Sequence, residues 1–283
     1  MRAMWRLTKW LLGLLVLFVV GYTLAMSGYH TPADKTIANL APDATPRTVF
    51  VAGATGGAGV ELVRELRARG DKVVAMVRTS SNTAAIDALG VDKVVADALD
   101  AEQVRAALAA QPVDAVVSLL GTSSSDLPER TNPIAGMIKG PPPMDPNKRP
   151  DFVGIRNLID AARANNIERF VLVTVIGAGD SAAAIPLAAR KGHSAVVPLK
   201  SQAEDHLRAS GLKFTIVRPG GLGRQPRAET AVLTDDPLAF SFMSRADLAR
   251  LTVDAAHDAA TIGKTYTAYD PDRRMLWKLF TAD

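Results

Sequence analysis

Residues 49–60 read Val-Phe-Val-Ala-Gly-Ala-Thr-Gly-Gly-Ala-Gly-Val, and this stretch decides the fold. A short β-branched run enters a glycine cluster, and a helical pattern from Glu61 to Arg69 follows. Gly53 permits a tight turn, Gly56 leaves room for an anion to approach the backbone, and Gly59 lets the helix pack closely on the strand. The stretch therefore predicts a strand, a turn and a helix whose N-terminal N–H groups face an anion.

The context of the glycine cluster identifies the anion more closely. A second strand pattern follows at Lys72–Val77, and a charged residue lies about 20 positions beyond the last glycine, as the dinucleotide-binding fingerprint requires. A glycine triplet alone also occurs in turns of unrelated α/β domains. We therefore predict that the residues of this turn bind the pyrophosphate of a dinucleotide cofactor; they are Gly53, Thr55, Gly56, Gly57 and Gly59.

The chain from Arg47 onward alternates strand and helix patterns, and the strands are nearly continuous apolar runs. Such runs are typical of a parallel sheet covered on both faces, so we expect one doubly wound α/β domain of the Rossmann type over 47–283. The expected strands are 48–52, 72–77, 93–96, 113–119, 169–175, 213–217 and 264–269. The expected helices are 57–69, 83–89, 101–110, 151–165, 199–210 and 245–258.

Two long irregular stretches, 122–150 and 177–198, interrupt this alternation. Both leave the carboxyl ends of strands, where open α/β sheets bind their ligands. Connections of this length are unusual in a compact domain and often act as lids over a site. We expect a substrate to lie beneath them.

The N-terminus predicts a membrane segment. Three basic residues within 1–9 precede a charge-free run over 10–26 that is rich in Leu and Val. This run exceeds the usual signal-peptide core of about 7–15 residues and approaches the length of a spanning helix. We expect a transmembrane or signal-like helix over 1–28, cleaved or uncleaved, and a polar linker over 29–46. The basic flank puts the domain outside the cytoplasm, where nicotinamide cofactors are scarce, so the side of the membrane stays open.

Composition excludes several classes of function. The net charge is only +4, with basic and acidic residues interspersed, so we expect no nucleic-acid partner. The absence of cysteine excludes disulfides, thiol catalysis and thiolate metal sites. The four histidines lie far apart in the sequence, and we predict no metal site.

Six collinear segments resemble the atypical short-chain dehydrogenase/reductases, and within them the NmrA-like and other NAD(P)H-binding proteins. The segments are 49–59, 151–162, 169–174, 210–212, 215–222 and 244–249. The resemblance extends from Arg47 to the C-terminus and implies a Rossmann fold with a nicotinamide dinucleotide. In that family the segment at Asp151 packs beneath the active site, and we interpret it here as structural.

Residues at the ends of three strands predict which dinucleotide binds. A carboxylate after the second strand would bind the ribose hydroxyls of NAD, but this chain has Arg78 followed by three hydroxyl residues. A guanidinium suits a 2′-phosphate, so we predict NADP in preference to NAD, although a strand-end arginine is often a solvated cap. The resemblance implies that Asp97 lies near the adenine amino group, unless it caps a helix, and that Gly121 lies beneath the adenosine ribose.

The resemblance also implies catalytic residues, one of which is missing. Family reductases use a Ser or Thr on the fifth strand, a Tyr, and a Lys four residues later; the corresponding positions here are Thr174, Val196 and Lys200. The usual proton donor is therefore absent. Lys200 would still hold the nicotinamide ribose, or else be a surface lysine, and His193 is a candidate substitute acid. The resemblance also implies that the backbone at Pro219 contacts the nicotinamide side of the cofactor site.

Two classes of function follow from these residues. One is an NADP-dependent oxidoreductase acting on a small or lipophilic substrate, which the retention of Thr174 and Lys200 favours. The other is a non-catalytic NADP(H)-binding regulatory or assembly factor that contacts a partner protein, which the absent tyrosine favours. Nucleotide-sugar or isomerase chemistry is a third class.

Overall fold

The protein is described by a computed structural model that covers residues 2–26, 30–122, 142, 144–185 and 195–273. Its centre is an eight-stranded sheet with strand order β3-β2-β1-β4-β5-β6-β10-β8, and β7 and β9 form a separate parallel pair. The strands are β1 Thr48–Ala52, β2 Lys72–Val77, β3 Asp92–Val95, β4 Ala115–Ser118, β5 Arg169–Val173, β6 Lys213–Pro219, β7 Gly221–Gly223, β8 Val232–Thr234, β9 Phe242–Ser244 and β10 Lys264–Tyr269.

All neighbouring pairs in the large sheet are parallel except β8, which runs antiparallel to β10. This order, which reverses direction between β1 and β4, is that of a doubly wound Rossmann-type sheet, and the predicted fold class is confirmed. The reversal leaves a crevice beyond the carboxyl ends of β1 and β4, where such sheets bind their ligands.

Helices cover both faces of the sheet. These helices are α2 Gly57–Arg69, α3 Ala84–Asp87, α4 Ala101–Ala109, α5 Ile155–Ala164, α6 Val197–Ala209 and α7 Arg245–His257. A further helix, α1 Arg2–Met26, precedes them in the chain, and none of its described residues belongs to the core of the sheet. Side chains of β1 alternate between the faces: Val49 and Val51 pack with α2 and α7, and Phe50 and Ala52 pack with α4, α5 and α6. The apolar runs of the sequence are therefore the buried middle layer of three.

One helix begins as predicted and another does not. Asp100 caps α4 through bonds from the N–H groups of Glu102 and Gln103. The helix predicted over 151–165 begins with a π-helical turn, Pro150–Gly154, before α5. A π-turn carries an extra residue and often marks a functional site.

The long stretches predicted as lids lie only partly within the described residues. Within them the structure has the short helical turns Pro146–Lys148 and Gly179–Ala184. Residues 123–141, 143 and 186–194 lie outside the description, and so does the candidate acid His193.

Residues 30–46, within the expected linker, run along the domain. Ile37 pairs antiparallel with Thr234 of β8, and the Ala38 N–H donates to the Leu233 carbonyl. Farther along, the Asp43 N–H donates to the carbonyl of His257, at the end of α7. These backbone bonds extend the edge of the sheet beyond β8.

The membrane prediction over 1–28 is wrong. The segment is helical over Arg2–Met26, but the described residues contain no helix long and apolar enough to cross a bilayer. The charge-free run within α1, over 10–26, falls short of the roughly 20 apolar residues that a spanning helix needs, and two glycines interrupt it. The expected membrane localisation and membrane partner are withdrawn with it.

Candidate cofactor-binding site

The glycine-rich turn after β1 has the close contacts that its sequence predicts. Gly53 has φ +89°, and a Cβ there would lie 2.8 Å from the Leu119 carbonyl oxygen at the end of β4. A Cβ on Gly59 would lie 2.0 Å from the carbonyl oxygen of Gly53. Both positions therefore require glycine, one for its conformation and both for space.

The N-terminus of α2 presents free donors to the crevice. Its N-cap, Gly56, provides no side-chain cap. The Val60 N–H donates to the Gly56 carbonyl, so the N–H groups of Gly57, Ala58 and Gly59 precede the first intrahelical bond. Unpaired N–H groups at a helix start bind anions, so this turn fits the diphosphate of a dinucleotide.

A cavity of about 460 Å³ lies beside this turn. Six of the residues predicted to bind the cofactor line it: Gly53, Thr55, Gly56, Arg78, Asp97 and Gly121. Lys148 and Arg149 also line it, so three cationic side chains and one carboxylate face the same space. The structure thus brings the strand-end residues together around an electropositive cavity, which suits a phosphorylated ligand.

Arg78 follows β2 at one wall of the cavity. Its N–H donates to the Ser81 hydroxyl over 3.0 Å, which closes the turn after the strand. Its exposed guanidinium makes no hydrogen bond or ion pair with the part of the chain that the structure describes. A cation on the cavity wall without a protein partner is available to a ligand.

Asp97 lies at the end of the crevice near α4. One of its carboxylate oxygens accepts the Leu99 N–H over 3.0 Å, whereas the capping residue of α4 is Asp100. Asp97 thus shapes the loop and also lines the cavity. The adenine contact implied by the family resemblance remains a prediction.

Lys200 lies beneath the cavity floor rather than on its wall. Its ammonium donates to the Leu120 carbonyl and lies 3.5 Å from Asp151 Oδ1. The other Asp151 oxygen accepts both the N–H and the hydroxyl of Thr122, at 2.8 and 2.5 Å. Burial lowers the pKa of Lys200, and the Asp151 carboxylate opposes that shift.

Gly121 sits directly above this ion pair. A Cβ on Gly121 would lie 3.3 Å from Asp151 Oδ1 and 3.7 Å from Lys200 Nζ. The backbone after β4 is therefore fixed from below by two charged side chains, which arrive from the π-turn and from α6. The sequence analysis expected a structural segment at Asp151 beneath the active site, but it did not predict the ion pair with Lys200.

Thr174, the candidate catalytic residue after β5, belongs to a second buried network. Its hydroxyl donates to Glu204 Oε1 over 2.8 Å. The same carboxylate accepts Arg218 Nε over 3.0 Å and Nη2 over 2.6 Å, and Arg208 Nη2 over 3.0 Å. Glu204 is fully buried. The Thr174 hydroxyl proton is thus directed to Glu204, and its catalytic role stays a prediction.

Pro219 ends β6 next to these residues. Its side chain is buried, and its carbonyl accepts the Ile176 N–H over 2.8 Å. Ile176 belongs to a small apolar cluster with Ile185 and Phe240. A buried apolar cluster therefore packs beside the turn where the resemblance implies nicotinamide.

The fold and this crevice define a dinucleotide-binding protein of the atypical short-chain dehydrogenase/reductase class. The chain belongs to its NAD(P)H-binding family, which matches residues 53–259. Its cofactor is therefore a nicotinamide dinucleotide. The match includes every residue that lines the crevice.

The relatives of this chain include a named reductase and a protein whose name states no reaction. Protein TIC 62 of rice (Oryza sativa subsp. japonica) is 31% identical over 260 residues, which cover 82% of this chain and 49% of the relative. Sanguinarine reductase of Eschscholzia californica is 27% identical over 234 residues, covering 74% of this chain and 83% of the enzyme. The chain thus spans about half the length of the rice relative.

One solved structure has the same fold and aligns with this chain over nearly its full length. ChuY, an anaerobillin reductase from Escherichia coli O157:H7, aligns with a TM-score of 0.65 and 27% identity. The alignment covers 80% of this chain and 98% of ChuY.

Proposed function

We propose that this protein is an NADP(H)-dependent oxidoreductase, and Arg78 is the observation that carries the proposal. Its guanidinium lines the cavity without a partner in the described chain, at the strand end where an NAD-binding protein has a carboxylate. A 2′-phosphate there would accept charge-assisted hydrogen bonds from Arg78, and the Ser81 hydroxyl lies in the same turn.

The charge of the cavity supports the same cofactor. Lys148 and Arg149 come from the segment before the π-turn and add two cations to the wall. Asp97 is the one carboxylate among the residues that line the described cavity, and it is already bonded to the Leu99 N–H. An excess of cations favours the more highly phosphorylated NADP(H) over NAD(H).

Two relatives support reductase chemistry. Sanguinarine reductase and ChuY, an anaerobillin reductase, are each 27% identical to this chain. The bound cofactor would supply the hydride. This chain would hold the dinucleotide over Gly121, and the buried apolar cluster around Ile176 and Phe240 would support the nicotinamide end of the site.

Calorimetry on the full chain tests the cofactor assignment. We expect NADPH to bind more tightly than NADH, and Arg78→Ala to weaken NADPH by about tenfold or more, since a charge-assisted contact contributes about 1.5–3 kcal/mol. Arg64→Ala is the matched control, because Arg64 is an exposed arginine of α2 that pairs with Glu61. An unchanged preference between the two cofactors in Arg78→Ala would refute the assignment.

A non-catalytic NADP(H)-binding regulatory or assembly factor is the second candidate. Two observations favour it: no tyrosine precedes Lys200 by four residues, and the Thr174 hydroxyl is bonded to buried Glu204. The similarity to TIC 62, whose name states no reaction, is compatible with a non-catalytic role.

Turnover separates the two candidates. An oxidoreductase should consume NADPH with some member of a panel of carbonyl, quinone and conjugated heteroaromatic substrates. The variant Val196→Tyr sharpens the test, because Val196 lies one helical turn before Lys200, whose N–H bonds to its carbonyl. A gain of carbonyl reduction in that variant would support the enzyme. Cofactor binding without turnover in both proteins would favour the binding protein.

A further inference from the structure

The guanidinium of Arg245 lies against the first residue of α2. Gly57 allows this approach, because a Cβ there would lie 2.6 Å from Arg245 Nη1 and 2.9 Å from Cζ. Arg245 itself is the first residue of α7, which packs beside α2. A partly buried cation therefore sits at the same end of α2 that presents unpaired N–H groups to the cofactor.

The described chain gives Arg245 no counter-ion. It makes no hydrogen bond or ion pair within the described residues. The nearest acid on its own helix, Asp247, is buried and bonded to Ser244 and to the Ala228 N–H. Glu61 of α2 pairs with Arg64. A cation beside a positive helix end without an acid is unfavourable unless an anion joins them.

The space around Arg245 can admit such an anion. A cavity of about 510 Å³ adjoins Gly57 on this side of α2. Arg224, Arg245 and Glu61 line it; Glu61 pairs with Arg64, whereas Arg224 has no ion-pair partner among the residues described. The cavity with Arg78 reaches Gly56, and the cavity with Arg245 reaches the next residue, Gly57, so the two lie at neighbouring residues of the glycine turn.

We infer that Arg245 binds the diphosphate of the cofactor at the first turn of α2, beside Gly57. The inference rests on the proposed dinucleotide function and assigns a binding residue outside the glycine-rich turn. On this proposal, Gly57 lacks a Cβ for two reasons. The guanidinium of Arg245 occupies the space that a Cβ would take, and the start of the helix stays open to the phosphates.

Binding of two probes to the full chain tests this role. NADPH contains the diphosphate, whereas adenosine 2′-monophosphate has only the phosphate that Arg78 would bind. We expect Arg245→Gln to lower the affinity for NADPH by about tenfold or more and to leave the affinity for adenosine 2′-monophosphate unchanged. Arg78→Ala should weaken both. Arg64→Gln, on the same helix as Gly57, is the control for loss of a surface arginine.

Each outcome decides a separate claim. Equal NADPH affinity in Arg245→Gln and wild type overturns the inference, and so does an equal loss of both probes, which would indicate a damaged fold. If wild type binds NADH but not NADPH or adenosine 2′-monophosphate, the NADP proposal fails, and the effect of Arg245→Gln on NADH affinity still tests the diphosphate contact.

A double-mutant cycle tests the geometry through Gly57. The Cβ of Gly57→Ala would displace the Arg245 guanidinium, so we expect this variant to weaken NADPH about as much as Arg245→Gln does. The two changes together should then weaken it no further, because both remove one contact. Additive losses would mean that Gly57 and Arg245 act separately and would overturn the proposed seat.

Discussion

Asp151 Oδ1 lies 3.5 Å from Lys200 Nζ, and both side chains are buried beneath Gly121. The pair joins the π-turn and α6 to the carboxyl end of β4, through the Leu120 carbonyl and Thr122. Burying two charges costs solvation free energy, and an apolar pair often serves stability as well or better. We therefore interpret this pair as fixing the floor of the cofactor cavity.

Removing one member of that pair should damage both stability and binding. Asp151→Ala leaves the Lys200 ammonium buried without its carboxylate, so we expect the free energy of unfolding to fall by about 3 kcal/mol or more. NADPH binding should weaken as the Thr122 backbone is released. Urea unfolding and calorimetry measure the two effects. Asp160→Ala, an exposed change on α5 that removes only a His206 bond, is the control.

Lys200 should also give the protein a characteristic dependence on pH. Burial lowers its pKa in the folded state below the usual lysine value of 10.5, and the Asp151 carboxylate opposes that shift. Between the lowered pKa and 10.5 the unfolded chain binds more protons, so the contribution of Lys200 to the free energy of unfolding rises with pH. The difference between wild type and Lys200→Met, measured by urea unfolding toward pH 10.5, should increase. A flat or falling difference would contradict the assignment.

The glycine turn offers a prediction about packing. A Cβ on Gly59 would meet the Gly53 carbonyl oxygen at 2.0 Å, so Gly59→Ala must push α2 away from β1. We expect a loss of about 1–3 kcal/mol in stability, together with weaker NADPH binding. Gly13→Ala is a matched control in α1, because nothing lies within 4 Å of a Cβ there. Equal thermal midpoints for wild type and Gly59→Ala would contradict the close contact.

The sequence predicted the central fold well because local signals decide it. The β1 and α2 bounds matched the expected ranges, since an apolar run, spaced glycines and a helical pattern all lie within one short stretch. The short strands β7, β8 and β9 were not predicted, because three-residue strands carry too little periodicity. The run over 10–26 correctly predicted a helix, but hydropathy alone overstated its ability to span a membrane.

The site was predictable only where its residues follow strands. Arg78, Asp97 and Gly121 share a cavity because parallel strands end at one edge of the sheet. The partners Asp151 and Lys200 come from separate helical segments, and Arg245 reaches Gly57 from another helix. Such pairings depend on how helices pack, and no spacing in the sequence records them.

The network around Glu204 supplies the last prediction. The fully buried Glu204 carboxylate accepts hydrogen bonds from Thr174, Arg208 and Arg218. Its negative charge therefore offsets the charge of the guanidinium groups. Glu204→Gln keeps the shape but removes that charge, and the amide cannot accept from all these donors. We expect the free energy of unfolding to fall by about 3 kcal/mol or more.

Its neighbour Asp205 provides the control for this change. Asp205 is exposed and pairs with Arg208, so Asp205→Asn should alter stability by less than about 1 kcal/mol. Urea unfolding of both variants measures the contrast, and NADPH calorimetry on folded Glu204→Gln then reports on Thr174. If Thr174 serves mainly to pair Glu204, the variant should still bind NADPH. Similar losses of stability in Glu204→Gln and Asp205→Asn would mean that Glu204 is not the centre of the network.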